Sequence, residues 1–145
     1  MLNVEGAFGT ADERLWLGLR APLAGGRAVL LRLVPGFAEL RFDKVALLDL
    51  EGRGIRELAL AGDQLIGLAG PTLDADEPFF LFRAAAPAVL SGGEPPVQIL
   101  RRDLLPSSEG LLLRGGRAYI LLDGDAGDGN DRCKVPAGWY AVDLP

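Results

Sequence analysis

The chain has 145 residues, enough for one domain with a sizeable core, and it is 49% hydrophobic and 24% charged, as folded globular proteins are. It has no histidine and one cysteine, which excludes a Ser-His-Asp or Cys-His catalytic unit, an imidazole metal ligand and a disulfide within one chain. The formal net charge is -5 and the basic residues are scattered, which argues against a nucleic-acid-binding surface.

Short apolar runs separated by Gly, Pro and Asp predict an all-β chain, because no stretch keeps helical spacing beyond about ten residues. In chain order, the predicted strands are residues 4–8, 15–19, 28–33, 45–50, 55–61, 65–68, 79–82, 97–100, 110–113, 118–122 and 139–142.

Three segments of the chain resemble one another. They read VEGAFGTADERLWLGLRAP, IRELALAGDQLIGLAGP and SEGLLLRGGRAYILLDGD, and Glu5, Glu57 and Glu109 recur in them at intervals of 52 residues. Two further predicted strands follow each of the first two segments, which gives repeats of about 3–51, 52–106 and 107–145. A repeat near 50 residues with four strands is the size of one β-propeller blade. We therefore predict a single domain, 1–145, that forms a partial β-propeller of about three antiparallel, four-stranded blades.

A partial propeller has a physical consequence for assembly. Blades bury both of their faces against neighbours, so three leucine-rich blades alone leave two apolar faces in water. We expect the chain to form a homo-oligomer, such as a dimer that completes a ring of about six blades, or to be a fragment of a longer chain. The alternative is a β-sandwich or barrel whose hairpins are alike by chance.

Four motifs, GLRAP, GIREL, AGPTLDAD and EGLLL, lie between residues 3 and 124. With the sequence around them, they resemble the bacterial DUF3616 family of uncharacterised proteins. The resemblance implies a propeller-like chain of four-stranded units, and the family offers no established activity. Typical members are longer and have further blades before the equivalent of Asn3.

The innermost strand of a propeller blade lines the central channel, so the repeated glutamates are expected to converge on one axis with nearby arginines. Two roles remain open: a polar channel that binds a ligand, or an ion-pair network that joins blades. Carboxylates of Glu5, Glu109 and Asp123 suit a divalent cation such as calcium, which needs no histidine. The predicted channel-lining residues are Glu5, Arg20, Arg56, Glu57, Glu109 and Asp123.

The tract DGDAGDGND, residues 123–131, is rich in oxygen ligands. It does not fit an EF-hand, because Gly127, Asp128 and Lys134 stand where that loop requires an acidic or amide residue, glycine and glutamate. We predict an acidic hairpin loop. Cys133 lacks a base or a second cysteine that would make it reactive.

These features favour a non-enzymatic module that acts through assembly or binding, with no catalytic residue assigned. The alternative is a metal-dependent hydrolase, such as a lactonase or phosphoesterase, with Asp123 or Glu109 as its base. No apolar run reaches the roughly 18 residues of a membrane span, and acidic residues interrupt the N-terminal segment where a signal peptide is apolar. We therefore expect a cytoplasmic protein that does not contact membranes.

Overall fold

Eleven β-strands and one short helix make up the described part of this computed structural model, which comprises residues 2–36, 40–73, 77–123 and 138–145. Each predicted strand overlaps an observed one, and the all-β prediction is confirmed. In chain order the elements are β1 (Asn3–Gly9), β2 (Leu15–Ala21), β3 (Ala28–Leu33), β4 (Phe42–Leu48), β5 (Gly54–Ala61), β6 (Gln64–Gly70), β7 (Phe79–Ala85), α1 (Ala86–Ser91), β8 (Val97–Leu104), β9 (Ser108–Arg114), β10 (Arg117–Leu122) and β11 (Trp139–Asp143).

The strands form three antiparallel sheets in which neighbours in the sheet are also neighbours in the chain. Sheet 1 contains β1 to β4, sheet 2 contains β5 to β8, and sheet 3 contains β9 to β11. Tight turns make this order possible: Gly115 and Gly116 join β9 to β10 with φ angles of 58° and 75°, which suit a two-residue hairpin. Sheets 1 and 2 have the four strands predicted, and sheet 3 has three within the described ranges.

The helix α1 was not predicted from the sequence, because its six residues are too few to show helical periodicity. Pro87 lies in its first turn, where the missing N–H is tolerated. After the helix, Gly93 forms two hydrogen bonds with β4: its N–H donates to Val45 O at 2.9 Å and its O accepts from Leu47 N at 2.7 Å. The segment therefore covers part of the outer edge of sheet 1, which limits edge-to-edge pairing there.

Sheet 2 packs between the other two sheets, and β5 contacts β1 and β2 on one side and β9 on the other. We call the side of each sheet turned toward the next sheet in the chain its forward face, and the opposite side its back face. Side chains alternate between these faces along every strand. The core between sheets 1 and 2 includes Phe8, Trp16, Leu30, Leu48, Leu58, Leu65 and Phe82, and the core between sheets 2 and 3 includes Ile66, Leu68, Leu81, Leu104, Ala118 and Ile120.

Sheets 1 and 2 approach closely where the sequence has glycine. A Cβ at Gly6 would lie 2.8 Å from Ile55 Cγ2, and one at Gly18 would lie 2.7 Å from the same atom. At Gly54 the neighbour is main chain, because an added Cβ would lie 2.0 Å from Arg20 O. Glycine at these positions lets the start of β5 pack directly on β1 and β2.

No helix in residues 2–36, 40–73, 77–123 or 138–145 is long and apolar enough to cross a membrane.

Candidate functional site

The first strand of each sheet carries a β-bulge at the same place. In sheet 1, Val4 and Gly6 pair with the adjacent residues Leu19 and Gly18, which leaves Glu5 as the extra residue. The same pattern leaves Arg56 as the extra residue of β5 and Glu109 as that of β9. A bulge re-aims the side chain of the extra residue, so the three sheets each present one charged side chain at equivalent positions.

These bulged residues meet in an ion-pair network. The guanidinium of Arg56 has its Nε 3.0 Å from Glu5 Oε2, and its Nη2 donates to Glu109 Oε1. Glu5 Oε1 also accepts a hydrogen bond of 3.2 Å from Arg20 Nη1. We call these four residues the three-sheet network, because their ion pairs connect sheet 1 (Glu5 and Arg20), sheet 2 (Arg56) and sheet 3 (Glu109).

Arg56 is the centre of the network and its most buried member, with a side chain 6% exposed. Its Nη1 donates to Pro71 O at 3.4 Å, and its guanidinium carbon lies 5.2 Å from the centre of the Phe79 ring. Arg20 Nε donates to the same Pro71 O at 3.3 Å. A buried charge needs such partners, and the planar guanidinium can serve several at once. With two carboxylates and two guanidiniums the network is electrically balanced.

Glu57 lies outside the network, although its spacing from the other two glutamates predicted that it would converge with them. The bulges make Arg56, not Glu57, the structural equivalent of Glu5 and Glu109. Arg56 lies 51 residues after Glu5 and 53 residues before Glu109, whereas the predicted repeat had two intervals of 52. Glu57 Oε1 instead accepts a hydrogen bond of 2.9 Å from the N–H of Leu58. Among the described residues it forms no ion pair.

Glu57→Gln is expected to stabilise the protein at neutral pH but not in acid. Burial raises the pKa of the Glu57 carboxyl above its ordinary value of 4.5, while the Leu58 N–H opposes this shift. The folded state therefore holds this proton more tightly than the unfolded state does, so the contribution of Glu57 to stability is present at low pH and is lost as pH rises through the folded-state pKa.

Urea unfolding of both proteins at about pH 4 and about pH 7 checks this prediction. We expect the difference in urea midpoint, variant minus wild type, to be larger at about pH 7 than at about pH 4. The same difference at both pH values would contradict it.

Asp123 also lies outside the three-sheet network. Its side chain is exposed and its N–H donates to Ser107 O at 2.8 Å. The predicted metal ligands were Glu5, Glu109 and Asp123, yet the Arg56 guanidinium pairs with both glutamates and supplies the positive charge between them. In the described ranges no group of three acidic or cysteine side chains is arranged to hold a metal ion. Residues 124–131 of the acidic tract and Cys133 fall outside those ranges.

A cleft of about 340 Å³ opens between sheets 2 and 3 beside the β9–β10 turn, and three arginines line it. Two of them are already engaged, since Arg83 Nε donates to Gln98 Oε1 at 2.8 Å and Arg117 Nε donates to Asp143 Oδ1 at 2.7 Å. None of the network residues lines this cleft. Arg83 and Arg117 therefore stabilise strand pairs around the cleft, and the geometry does not single out a ligand.

The two outer faces of the three-sheet stack carry exposed apolar side chains at positions whose equivalents in the other sheets are buried. When the three sheets are aligned on their bulges, Trp139 on the forward face of sheet 3 occupies the position of Leu30 in sheet 1 and of Leu81 in sheet 2. Leu30 and Leu81 are 0% exposed, whereas Trp139 is 66% exposed. On the back face of sheet 1, Leu15 is 40% exposed, while its equivalents in sheets 2 and 3 are 0% exposed. Those equivalents are Leu65 and Ala118. The sequence predicted two apolar outer faces but not which residues form them.

A family model described as a protein of unknown function, DUF3616, matches residues 2–94. The matched range contains all of sheet 1 and the first three strands of sheet 2. No curated protein and no solved structure matches the chain.

Proposed function

The chain belongs to the DUF3616 family of proteins of unknown function, and we propose that it is an assembly module that joins a second copy of itself through its two outer sheet faces. In this proposal each sheet is a blade, and two copies complete a propeller-like ring. The three-sheet network then has a structural role: it fixes the three blades to one another at their inner strands.

The observation that carries the proposal is the exposure of Trp139 and Leu15, whose equivalents in the other sheets are buried. Other large apolar residues accompany them on the same two faces. Leu112 and Leu121 on the forward face of sheet 3 are 58% and 44% exposed, and Val45 on the back face of sheet 1 is 46% exposed. Contiguous apolar patches of this kind on a soluble protein mark interaction surfaces.

A second copy supplies both of the faces that are needed. Inside the chain, a forward face packs on a back face at each of the two sheet interfaces. The part of the chain that the structure describes exposes one face of each kind, so two copies satisfy both surfaces at once. Closed symmetric dimers are the commonest way in which proteins remove such surfaces from water.

We expect the protein to be a dimer at micromolar concentration, because separating the copies would expose both apolar faces. Light scattering coupled to size-exclusion chromatography, over a series of concentrations, measures this directly. Binding of a dye that reports apolar surface should be low in the dimer and should rise on dilution. A monodisperse monomer across the whole series would contradict the proposal.

The alternative predicted from the sequence, a hydrolase with a carboxylate-bound metal ion, has less support. Its ligands Glu5 and Glu109 both pair with Arg56, and a metal would have to displace that guanidinium from its contacts with Pro71 and Phe79. The balanced network instead favours the structural role.

A further inference from the structure

We infer that the assembly is head to tail, with the forward face of sheet 3 of one copy packed on the back face of sheet 1 of the other, and with Trp139 as its anchor. This inference rests on the proposed function and adds the polarity, the anchoring residue and the receiving surface of the interface. It excludes contacts in which sheet 3 packs on sheet 3 or sheet 1 on sheet 1.

The polarity follows from how aromatic side chains are used within the chain. Phe8 and Trp16 stack on the forward face of sheet 1, with ring centres 6.2 Å apart, and are buried against the back face of sheet 2. Counting from the bulges, Tyr119 of sheet 3 occupies the position of Trp16. Tyr119 and Trp139 pack together there with ring centres 5.9 Å apart and an angle of 44°.

Among residues 2–36, 40–73, 77–123 and 138–145 no sheet packs in front of this aromatic pair, and the pair is suited to anchor an interface. Tyrosine and tryptophan supply large contact area at low cost in conformational entropy, and they dominate the binding energy of many interfaces. The surface that covers an aromatic pair inside the chain is a back face that carries Leu58 and Leu65. The equivalent uncovered surface is the back face of sheet 1.

The back face of sheet 1 is an apolar row that crosses the sheet. Leu17 pairs with Leu31, and Leu31 pairs with Val45, so that these three side chains lie side by side on neighbouring strands. Leu15 pairs with Leu33 beside this row. Leucine and valine side chains of this kind match those that cover Phe8 and Trp16 inside the chain.

Charges at the hairpin tips favour the same polarity. The β9–β10 hairpin of sheet 3 carries Arg114 and Arg117, of which Arg117 pairs with Asp143, so this tip has a net positive charge. The β1–β2 hairpin of sheet 1 carries Asp12, Glu13 and Arg14, with Asp12 4.0 Å from Arg14, so that tip has a net negative charge. Each is the first hairpin of its sheet, so a head-to-tail contact brings the tips together at one end with opposite charges. A sheet 3 to sheet 3 contact would instead set arginine against arginine, which opposes association.

At the opposite end, the head-to-tail contact sets Glu109 near the partner subunit's Glu5. Like charges would oppose association if they were unpaired. Within each copy, however, Arg56 pairs with both carboxylates and Arg20 also pairs with Glu5. The network therefore reduces the repulsion at this end before the copies meet.

Two variant proteins, each with one charge substitution, test the polarity when they are measured alone and after mixing. Trp139→Arg disables the forward face of sheet 3 and Leu15→Arg disables the back face of sheet 1, and both positions are exposed enough that the fold should tolerate them. We expect each variant alone to dissociate at least about 100-fold more readily than the wild type, as loss of an interface anchor implies. An equimolar mixture should form a one-to-one heterodimer, because it retains one intact contact.

Leu105→Arg is the matched control, since Leu105 is 52% exposed but lies in the β8–β9 connection rather than on an outer face. It should dimerise as the wild type does. All variants should keep the far-UV circular dichroism of the control and unfold in one cooperative urea transition, which separates lost association from lost folding.

The outcomes separate this inference from the function on which it rests. If the wild type is a monomer, the proposed function itself is wrong. If the wild type is a dimer and only one of the two variants weakens it, the contact joins like faces: self-association then stands, whereas the head-to-tail inference and the closed ring are wrong. Failure of the folded variants to associate on mixing would also overturn it.

Discussion

Arg56→Ala is expected to lower the free energy of unfolding by about 3–5 kcal/mol, the range measured when one partner of a buried ion pair is removed. The substitution leaves the carboxylates of Glu5 and Glu109 facing each other without the guanidinium that pairs with both. It also removes the hydrogen bond to Pro71 O and the contact with Phe79. Urea unfolding, with the change in midpoint at constant slope, measures the loss.

Arg101→Ala is the matched control, because Arg101 also pairs with a carboxylate, that of Asp103, but both side chains are largely exposed. An exposed pair contributes about 0–1 kcal/mol, so this variant should remain close to the wild type. The double variant with Arg56→Met and Glu109→Gln removes one charge of each sign, leaves Glu5 paired with Arg20, and should recover part of the lost stability. If Arg56→Ala were as stable as the control, the network would not hold the sheets together.

Gly54→Ala is expected to cost about 3 kcal/mol, at the upper end of what overpacking costs, because the added methyl group meets main chain. An ideal Cβ at this position would lie 2.0 Å from Arg20 O and 2.7 Å from Arg20 Cα. A flexible side chain can move away from such a contact, but β2 is fixed by its pairing with β1. The start of β5 must therefore shift, and Arg56 shifts with it.

Gly9→Ala provides the comparison for this prediction. Gly9 is also in a strand, and an added Cβ there would have no atom within 4 Å. Alanine is also less flexible than glycine in the unfolded chain, so this variant should be as stable as the wild type or slightly more stable. Equal urea midpoints for Gly54→Ala and Gly9→Ala would show that the sheets adapt to the added group.

The sequence predicted the strands well because short apolar runs and turn residues are local signals. It also brought together Glu5, Arg20, Arg56 and Glu109 as candidates, and these four residues do meet. It misassigned the equivalent position in β5 to Glu57, because a count of residues cannot show a bulge. Whether a strand bulges depends on how its neighbours in space pair with it, and one extra residue moves every later side chain to the other face.

The helix α1 was missed for a related reason. Six residues make less than two turns, so no apolar periodicity distinguishes them from a loop. The pairing of Gly93 with β4 joins residues far apart in the chain, and nothing in the local sequence indicates it. The sequence also did not show which residues are exposed on the outer faces, because exposure depends on which sheets lie at the two ends of the stack.

The order of strands within each sheet matches their order in the chain, and this has a consequence for synthesis of the protein. Each sheet is one contiguous segment, so sheet 1 can fold as soon as it leaves the ribosome, and sheet 2 can dock on it before β9 exists. During that interval Arg56 has Glu5 as a partner but not Glu109, and the forward face of sheet 2 is open to water. Emergence of sheet 3 then brings the second carboxylate with β9 and covers that face, which is completed only when β11 adds Tyr140 and Val142.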